Sequence, residues 1–146
     1  FRTRTVLYAT LIALIGSLLL WAYASKSTYE FNVLKDRSPP YIQLSDGRVR
    51  NGYTLKIVNK NSDPSSVTVS VSGLDDAEFE IVGIGEAPAN GTLDIKTEAY
   101  GVGRYRMLVT VPENESERRG TLTVEIKDTE TGETARADAP FTMGDR

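Results

Sequence analysis

The chain has 146 residues, a formal net charge of -3 and neither histidine nor cysteine. Those two absences exclude imidazole acid–base chemistry, thiol nucleophiles, disulfides, iron–sulfur ligation and zinc sites built from either residue. The mildly acidic balance, with Arg2 and Arg4 outside the part able to fold as a domain, excludes a basic face for nucleic acid.

Residues 5–25 read TVLYATLIALIGSLLLWAYAS without one charge, and nine of them are Leu, Ile or Val. At 1.5 Å rise per residue such a helix is roughly 31 Å long, the thickness of the hydrocarbon layer, and its insertion is favoured by roughly 3–5 kcal/mol before its polar groups are counted. The reading is a stub at 1–4, a transmembrane helix at 5–25 and one domain at 26–146. Tyr8 at one end and Trp21 with Tyr23 at the other fit aromatic belts, and Arg2 and Arg4 place the N-terminus in the cytoplasm by the positive-inside bias. The same run has the basic start, apolar middle and Ala22-Tyr23-Ala24 ending of a signal peptide, which leaves open a secreted domain released after Ala24. Against cleavage stand an apolar stretch beyond the about 7–15 residues of a signal core, and an opening Phe1 in place of an initiator Met, which marks the chain as part of a longer one. Ala9, Ala13 and Ser17 form a small-residue stripe at i, i+4, i+8 that admits close approach of other transmembrane helices, or merely reflects how common such residues are in membranes.

Beyond the helix the apolar residues alternate with period two between turn-forming clusters, the pattern of a β-sandwich. Inward faces are expected at Tyr53, Leu55 and Ile57; at Val67, Val69 and Val71; at Phe79 and Ile81; and at Leu93 and Ile95. Tyr105, Met107, Val109 and Val111 follow, then Leu122, Val124 and Ile126, and a weaker last strand near 134–141. Asp46-Gly47 sets a turn, 128–133 a hairpin with Gly132 suited to positive φ, and 112–120 a longer charged loop. Gly101-Val-Gly103-Arg-Tyr105-Arg-Met107 resembles the tyrosine corner of immunoglobulin-type sandwiches, with Met107 where antibody domains place their second cysteine. The fold class is therefore mainly β: an immunoglobulin-like antiparallel β-sandwich behind one transmembrane α-helix.

No motif carries catalysis. Asp75, Asp76, Glu78 and Glu80 cluster without the spacing of a calcium loop, and read as a solvated loop and an outward strand face. Gly101-Val-Gly103 stands before a strand rather than between strand and helix, so it is a turn and not a phosphate cradle. Met107 and Met143 are soft ligands that suit copper(I), but lie far apart in sequence, one of them in a core-facing strand. Catalytic, cofactor and metal residues are expected to be none. Asp36, Arg37, Arg48 and Arg50, read as close to the membrane surface, are candidates for contact with lipid headgroups or a partner subunit; the alternative is a solvated turn.

The segment from Val33 to Tyr41 (VLKDRSPPY), then from Leu44 to Lys60 (LSDGRVRNGYTLKIVNK), closely resembles the membrane-to-domain junction of the FixG family, also called CcoG or RdxA. The resemblance covers essentially the whole chain and is strongest at 33–60. It implies a last transmembrane helix leading into a periplasmic immunoglobulin-like C-terminal domain of a bacterial inner-membrane protein. It also implies, for the parent protein, several helices and a cytoplasmic ferredoxin-like domain with two [4Fe-4S] clusters. The implied role is maturation of cbb3-type cytochrome c oxidase, with reduction of copper(II) to copper(I) as the activity. This chain departs from the full pattern in having one span and no cluster cysteines, so it holds no cofactor itself and is no enzyme by itself. Expected partners are the bilayer, other helices of the parent, and oxidase subunits or copper-handling proteins; nucleic acid is not among them. The competing reading is an unrelated membrane-tethered sandwich for adhesion or sensing.

Overall fold

An apolar run without Pro has no reason to break its backbone hydrogen bonds, and residues Thr3–Ala24 form one helix of 22 residues, α1. At 1.5 Å per residue it is about 33 Å long. None of its residues is buried, and Leu7, Ile12 and Leu20 are 61, 70 and 73% exposed on different sides. A helix apolar all round and uncovered by protein fits a membrane anchor. The computed structural model describes residues 2–112 and 119–143; the charged loop expected at 112–120 lies, apart from its ends, outside them.

The rest is β-structure: β1 (Tyr29–Lys35), β2 (Ile42–Gln43), β3 (Val49–Asn59), β4 (Ser65–Ser72), β5 (Glu78–Ile81), β6 (Gly85–Ala87), β7 (Thr92–Thr97), β8 (Val102–Val111), β9 (Arg119–Asp128) and β10 (Thr134–Thr142). One sheet has the order β1-β3-β8-β5-β6, with β2 extending the β3 edge, and the other β10-β9-β4-β7; all pairs are antiparallel. Two sheets bury one face each against the other, which is why every long strand alternates. Tyr53, Leu55, Ile57, Val67, Val69, Ile81, Met107, Val109 and Leu122 are completely buried, and Phe79, Ile95, Val111, Val124 and Ile126 are buried beside them. Leu93 and Tyr105 are half-buried against that core.

Three features depart from expectation. β2 and β6 have only two and three residues, too few to show a period. β1 is legible in the sequence only as a strand that Asp36 and the prolines end; its Tyr29 and Val33 face inward and it lies against β10. The tyrosine corner is displaced as well. By neighbour order β1-β3-β8-β5 takes the places of strands A, B, E and D, and β10-β9-β4 those of G, F and C. Tyr105 on β8 therefore sits in the E place, and Met107 does not stand where the second antibody cysteine lies. The Tyr105 hydroxyl still donates back to the Lys96 carbonyl at 3.4 Å, tying the β7–β8 crossover. A repeated strand–turn–strand rhythm cannot distinguish E from F; only the pairing partners can.

The turns follow their chemistry. Gly47 has φ +88 and the Asp46 carboxylate accepts the Arg48 N–H at 3.1 Å; Gly132 has φ +72 in the β9–β10 hairpin. Gly73 has φ +91, and a Cβ there would stand 2.5 Å from the Thr121 carbonyl oxygen.

Candidate functional site

Strand direction decides which residues meet. The chain leaves α1 at Ala24 and enters β1 at Tyr29, so that end of the sandwich also holds the end of β3, the start of β4, the β7–β8 loop and the β9–β10 hairpin. β1 then runs seven residues, about 20 Å at the rise of an antiparallel strand. Asp36, Arg37, Arg48 and Arg50 consequently lie at the opposite end of the sandwich from the helix. Closeness to the helix, expected from nearness along the chain, is corrected: the length of one strand undoes it.

At that far end two of the four, Arg48 and Arg50, are drawn into one surface. The Arg48 guanidinium bridges Asp46 at 2.7 Å and Glu78 at 3.0 Å. This hydrogen bonding holds the Asp46 carboxyl below, and the Arg48 guanidinium above, their ordinary values. Arg50 donates through Nε to the Thr110 hydroxyl at 3.0 Å and covers it, which explains a buried threonine on the outer face of β8. Asp36 is paired with Arg106 at 3.0 Å, and Arg37 is exposed in the segment after β1. Between Arg48, Arg50 and Thr110 on one side and Glu78, Glu80, Glu86 and Pro88 on the other lies an open cleft of about 460 Å³. Facing rows of guanidinium and carboxylate suit a polar partner of mixed charge. Glu78 of the acidic cluster is thus an ion-pair partner. Among the described residues no group of three or more His, Cys, Asp or Glu side chains is placed to hold a metal. Met107 is wholly buried and Met143 packs against the same core from beyond β10, so the structure gives both thioethers a packing role.

The helix end holds a second constellation that the sequence reading does not include. Asp128, 1% exposed, is at the next inward position of β9 after Leu122, Val124 and Ile126. Its carboxylate accepts the Tyr29 hydroxyl, the Ser65 hydroxyl at 2.8 Å, and the N–H groups of Glu130 and Thr131 at 2.7 Å each. Burial alone would raise its pKa, but these donors outweigh it and hold the carboxyl well below the usual range. Burial, then the adjacent Asp128, raises the Tyr29 phenol, which stays a donor. One hairpin later the Glu133 carboxylate accepts the Thr28 N–H at 2.8 Å and the Ser27 hydroxyl at 3.1 Å, and these bonds, against burial, lower its pKa. The β9–β10 hairpin thereby clasps the segment joining helix to sandwich. The signal was available: extending the period-two face of TLTVEIKD by one step places an aspartate inside, where it needs donors.

In the helix Ala9, Ala13 and Ser17 are exposed in a row, and the Ser17 hydroxyl is satisfied by its own Leu14 carbonyl at 2.9 Å. Nothing among the described residues packs on that stripe, so its use by other helices stays a proposal.

Residues 19–144 match the family model described as "IG-like fold at C-terminal of FixG, putative oxidoreductase". The chain is 32% identical over 113 residues to the nitrogen fixation protein FixG of Rhizobium meliloti, covering 77% of this chain and 21% of that protein. It is 31% identical over 123 residues to the protein RdxA of Cereibacter sphaeroides, covering 84% of this chain and 25% of RdxA. The chain thus spans a quarter or less of the length of these curated relatives. Its fold is that of the crystal structure of a FixG-related protein from Vibrio parahaemolyticus, with a TM-score of 0.66 and 21% identity over 80% of this chain and 97% of that one. An apolar helix, an immunoglobulin-like sandwich and a match running from inside the first to the end of the second have one reading: the chain belongs to the FixG family, as its C-terminal immunoglobulin-like region.

Proposed function

We propose that this chain is the last membrane anchor and the periplasmic interaction module of a bacterial iron–sulfur accessory protein. That parent serves maturation of cbb3-type cytochrome c oxidase and reduces copper(II) to copper(I). The observation that carries the reading is the match over residues 19–144, which joins the end of the apolar helix to the whole sandwich in a family described as an oxidoreductase. Orientation rests on Arg2 and Arg4 at the N-terminal end of α1, which favour the cytoplasm there and the periplasm for the sandwich.

These residues do not fit a [4Fe-4S] cluster, since the sequence has no cysteine. In this reading the clusters belong to parts of the parent outside this chain, copper is the parent's substrate, and no electron-transfer step passes through the sandwich. Its contribution is binding. The cleft of Arg48, Arg50, Glu78, Glu80 and Glu86 is the surface offered to an oxidase subunit or copper-handling protein, held away from the lipid by the length of β1.

The test is a parent gene lacking residues 26–146, expressed in the bacterium. Oxidase activity and its copper content are expected to fall while the iron–sulfur signal of the membranes persists. Normal oxidase in such cells would sink the proposal.

A further inference from the structure

The end of the sandwich nearest the helix is tied to it closely. Four residues, 25–28, separate α1 from β1, a reach of at most about 14 Å. Two of them, Ser27 and Thr28, are already bound to Glu133. The clasp leaves only Ser25 and Lys26 between itself and the helix, about 7 Å, and their N–H groups donate back to the Trp21 and Tyr23 carbonyls at 3.0 and 3.4 Å. Lys26 stands 5.6 Å from the Tyr23 ring centroid, the arrangement of an amphipathic belt at the membrane boundary.

A short ladder leads from this tether to an apolar tip. The Lys60 N–H donates to the Thr28 carbonyl at 3.0 Å, the Tyr100 N–H to the Asn61 carbonyl at 2.9 Å, and the Asn59 N–H to the Gly101 carbonyl at 2.9 Å. The β7–β8 loop is therefore separated from the point where the sandwich meets its tether by one intervening chain, two strand spacings or about 10 Å. Tyr100 is 71% exposed there and Val102 59%, although the other tyrosines of the sandwich are buried or half-buried. Tyr100 also has φ +50, a left-handed conformation that a bulky residue rarely adopts. The turn closed by the Gly101 N–H on the Glu98 carbonyl at 3.0 Å holds that ring outward at the helix end.

We propose that Tyr100 and Val102 enter the headgroup layer of the bilayer that α1 spans, so that the sandwich is seated on the lipid instead of standing clear of it. Tyrosine suits that layer because its ring is apolar and its hydroxyl is wet. The layer is about 5–8 Å deep on each side of the hydrocarbon, within reach of the tether. Neighbouring charges do not decide the matter: Lys60 pairs with Glu30 at 3.7 Å, and Asp63 and Glu98 are exposed nearby, so apolar insertion and not attraction to anionic lipid drives the contact. Seating this end points the distal cleft away from the membrane, where a periplasmic partner has access.

The proposal rests on α1 being a membrane span, and the test separates the two. The chain has no cysteine, so single cysteines can carry an environment-sensitive fluorophore without background. The variants Ile12→Cys, Tyr100→Cys, Val102→Cys and Ile42→Cys are labelled in the full chain and reconstituted in phosphatidylethanolamine–phosphatidylglycerol vesicles with and without headgroup-level spin-labelled lipid. The label at position 12 is expected to report hydrocarbon, those at 100 and 102 a blue-shifted emission quenched by the headgroup label, and that at 42 water. A hydrocarbon signal at position 12 with water-like emission at both 100 and 102 overturns the seating alone. Water-like emission at position 12 overturns the span and the seating with it.

Discussion

A buried carboxylate is stabilising only when donors replace the water it has lost, and Asp128 shows that balance at the level of one residue. Two hydroxyls and two backbone N–H groups converge on it from β1, β4 and its own hairpin. Asp128→Asn turns an amide N–H₂ toward some of those donors and is expected to cost about 3 kcal/mol, read from thermal denaturation of the chain in detergent. The pH dependence has a definite sign. Because folding depresses this pKa, its stabilisation is complete above the unfolded value of about 4. It should fade as pH falls from there toward the depressed folded value, and the Asp128→Asn melting temperature should be flatter over that interval. At the other end, reversing charge in Arg48→Glu with Arg50→Glu faces two new carboxylates toward Glu78, Glu80 and Glu86. The fold is expected to survive with little change in melting temperature, as exposed pairs contribute little. Partner capture and oxidase assembly are expected to fall. Full assembly with the doubly reversed chain would remove the cleft from the proposed function.

Among the elements, the long strands announce themselves because each buries one face, and the alternation that locates β3, β4 and β9 also locates their polar members. Asn51 and Asn59 continue the inward face of Tyr53, Leu55 and Ile57, and both are buried. Asn51 donates to the Thr142 carbonyl at 2.9 Å, and Asn59 to the Asp63 and Glu98 carbonyls at 3.1 Å each, stapling both ends of β3. Reading only apolar residues as inward leaves them out. β2 and β6 are illegible for a different reason, since two or three residues have no period. Connections matter as much as strands: Gly73→Ala would force a Cβ onto the Thr121 carbonyl at a positive φ. We expect it to destabilise by about 2–3 kcal/mol, visible as a lowered denaturation midpoint, whereas Gly132→Ala, which meets nothing within 4 Å, should cost only the left-handed penalty of about 1–2 kcal/mol.

At the scale of the molecule the question is which side of the membrane the sandwich occupies. With a cysteine-free chain, Ile42→Cys should react with a membrane-impermeant maleimide in cells whose outer membrane is opened, while Thr3→Cys should react only after the inner membrane is breached; the reverse pattern would invert the proposed orientation. Composition and periodicity were enough to establish a long apolar helix, a cysteine-free β-sandwich behind it and most of the inward residues, because length, composition and a period of two are all local. The family resemblance was likewise legible at the junction, where 33–60 carries the motif. Tertiary structure decided what has no local signature. Strand pairing put β8 in the E place and not the F place, and gathered Tyr29, Ser65 and Asp128 from three strands into one network. It moved Arg48 and Arg50 to the end of the sandwich away from the helix and Tyr100 to the end nearest it. The physical reason is that an antiparallel strand reverses direction at every turn. Residues close in sequence are carried a strand's length apart, and only the hydrogen-bonded register says which distant ones share an end.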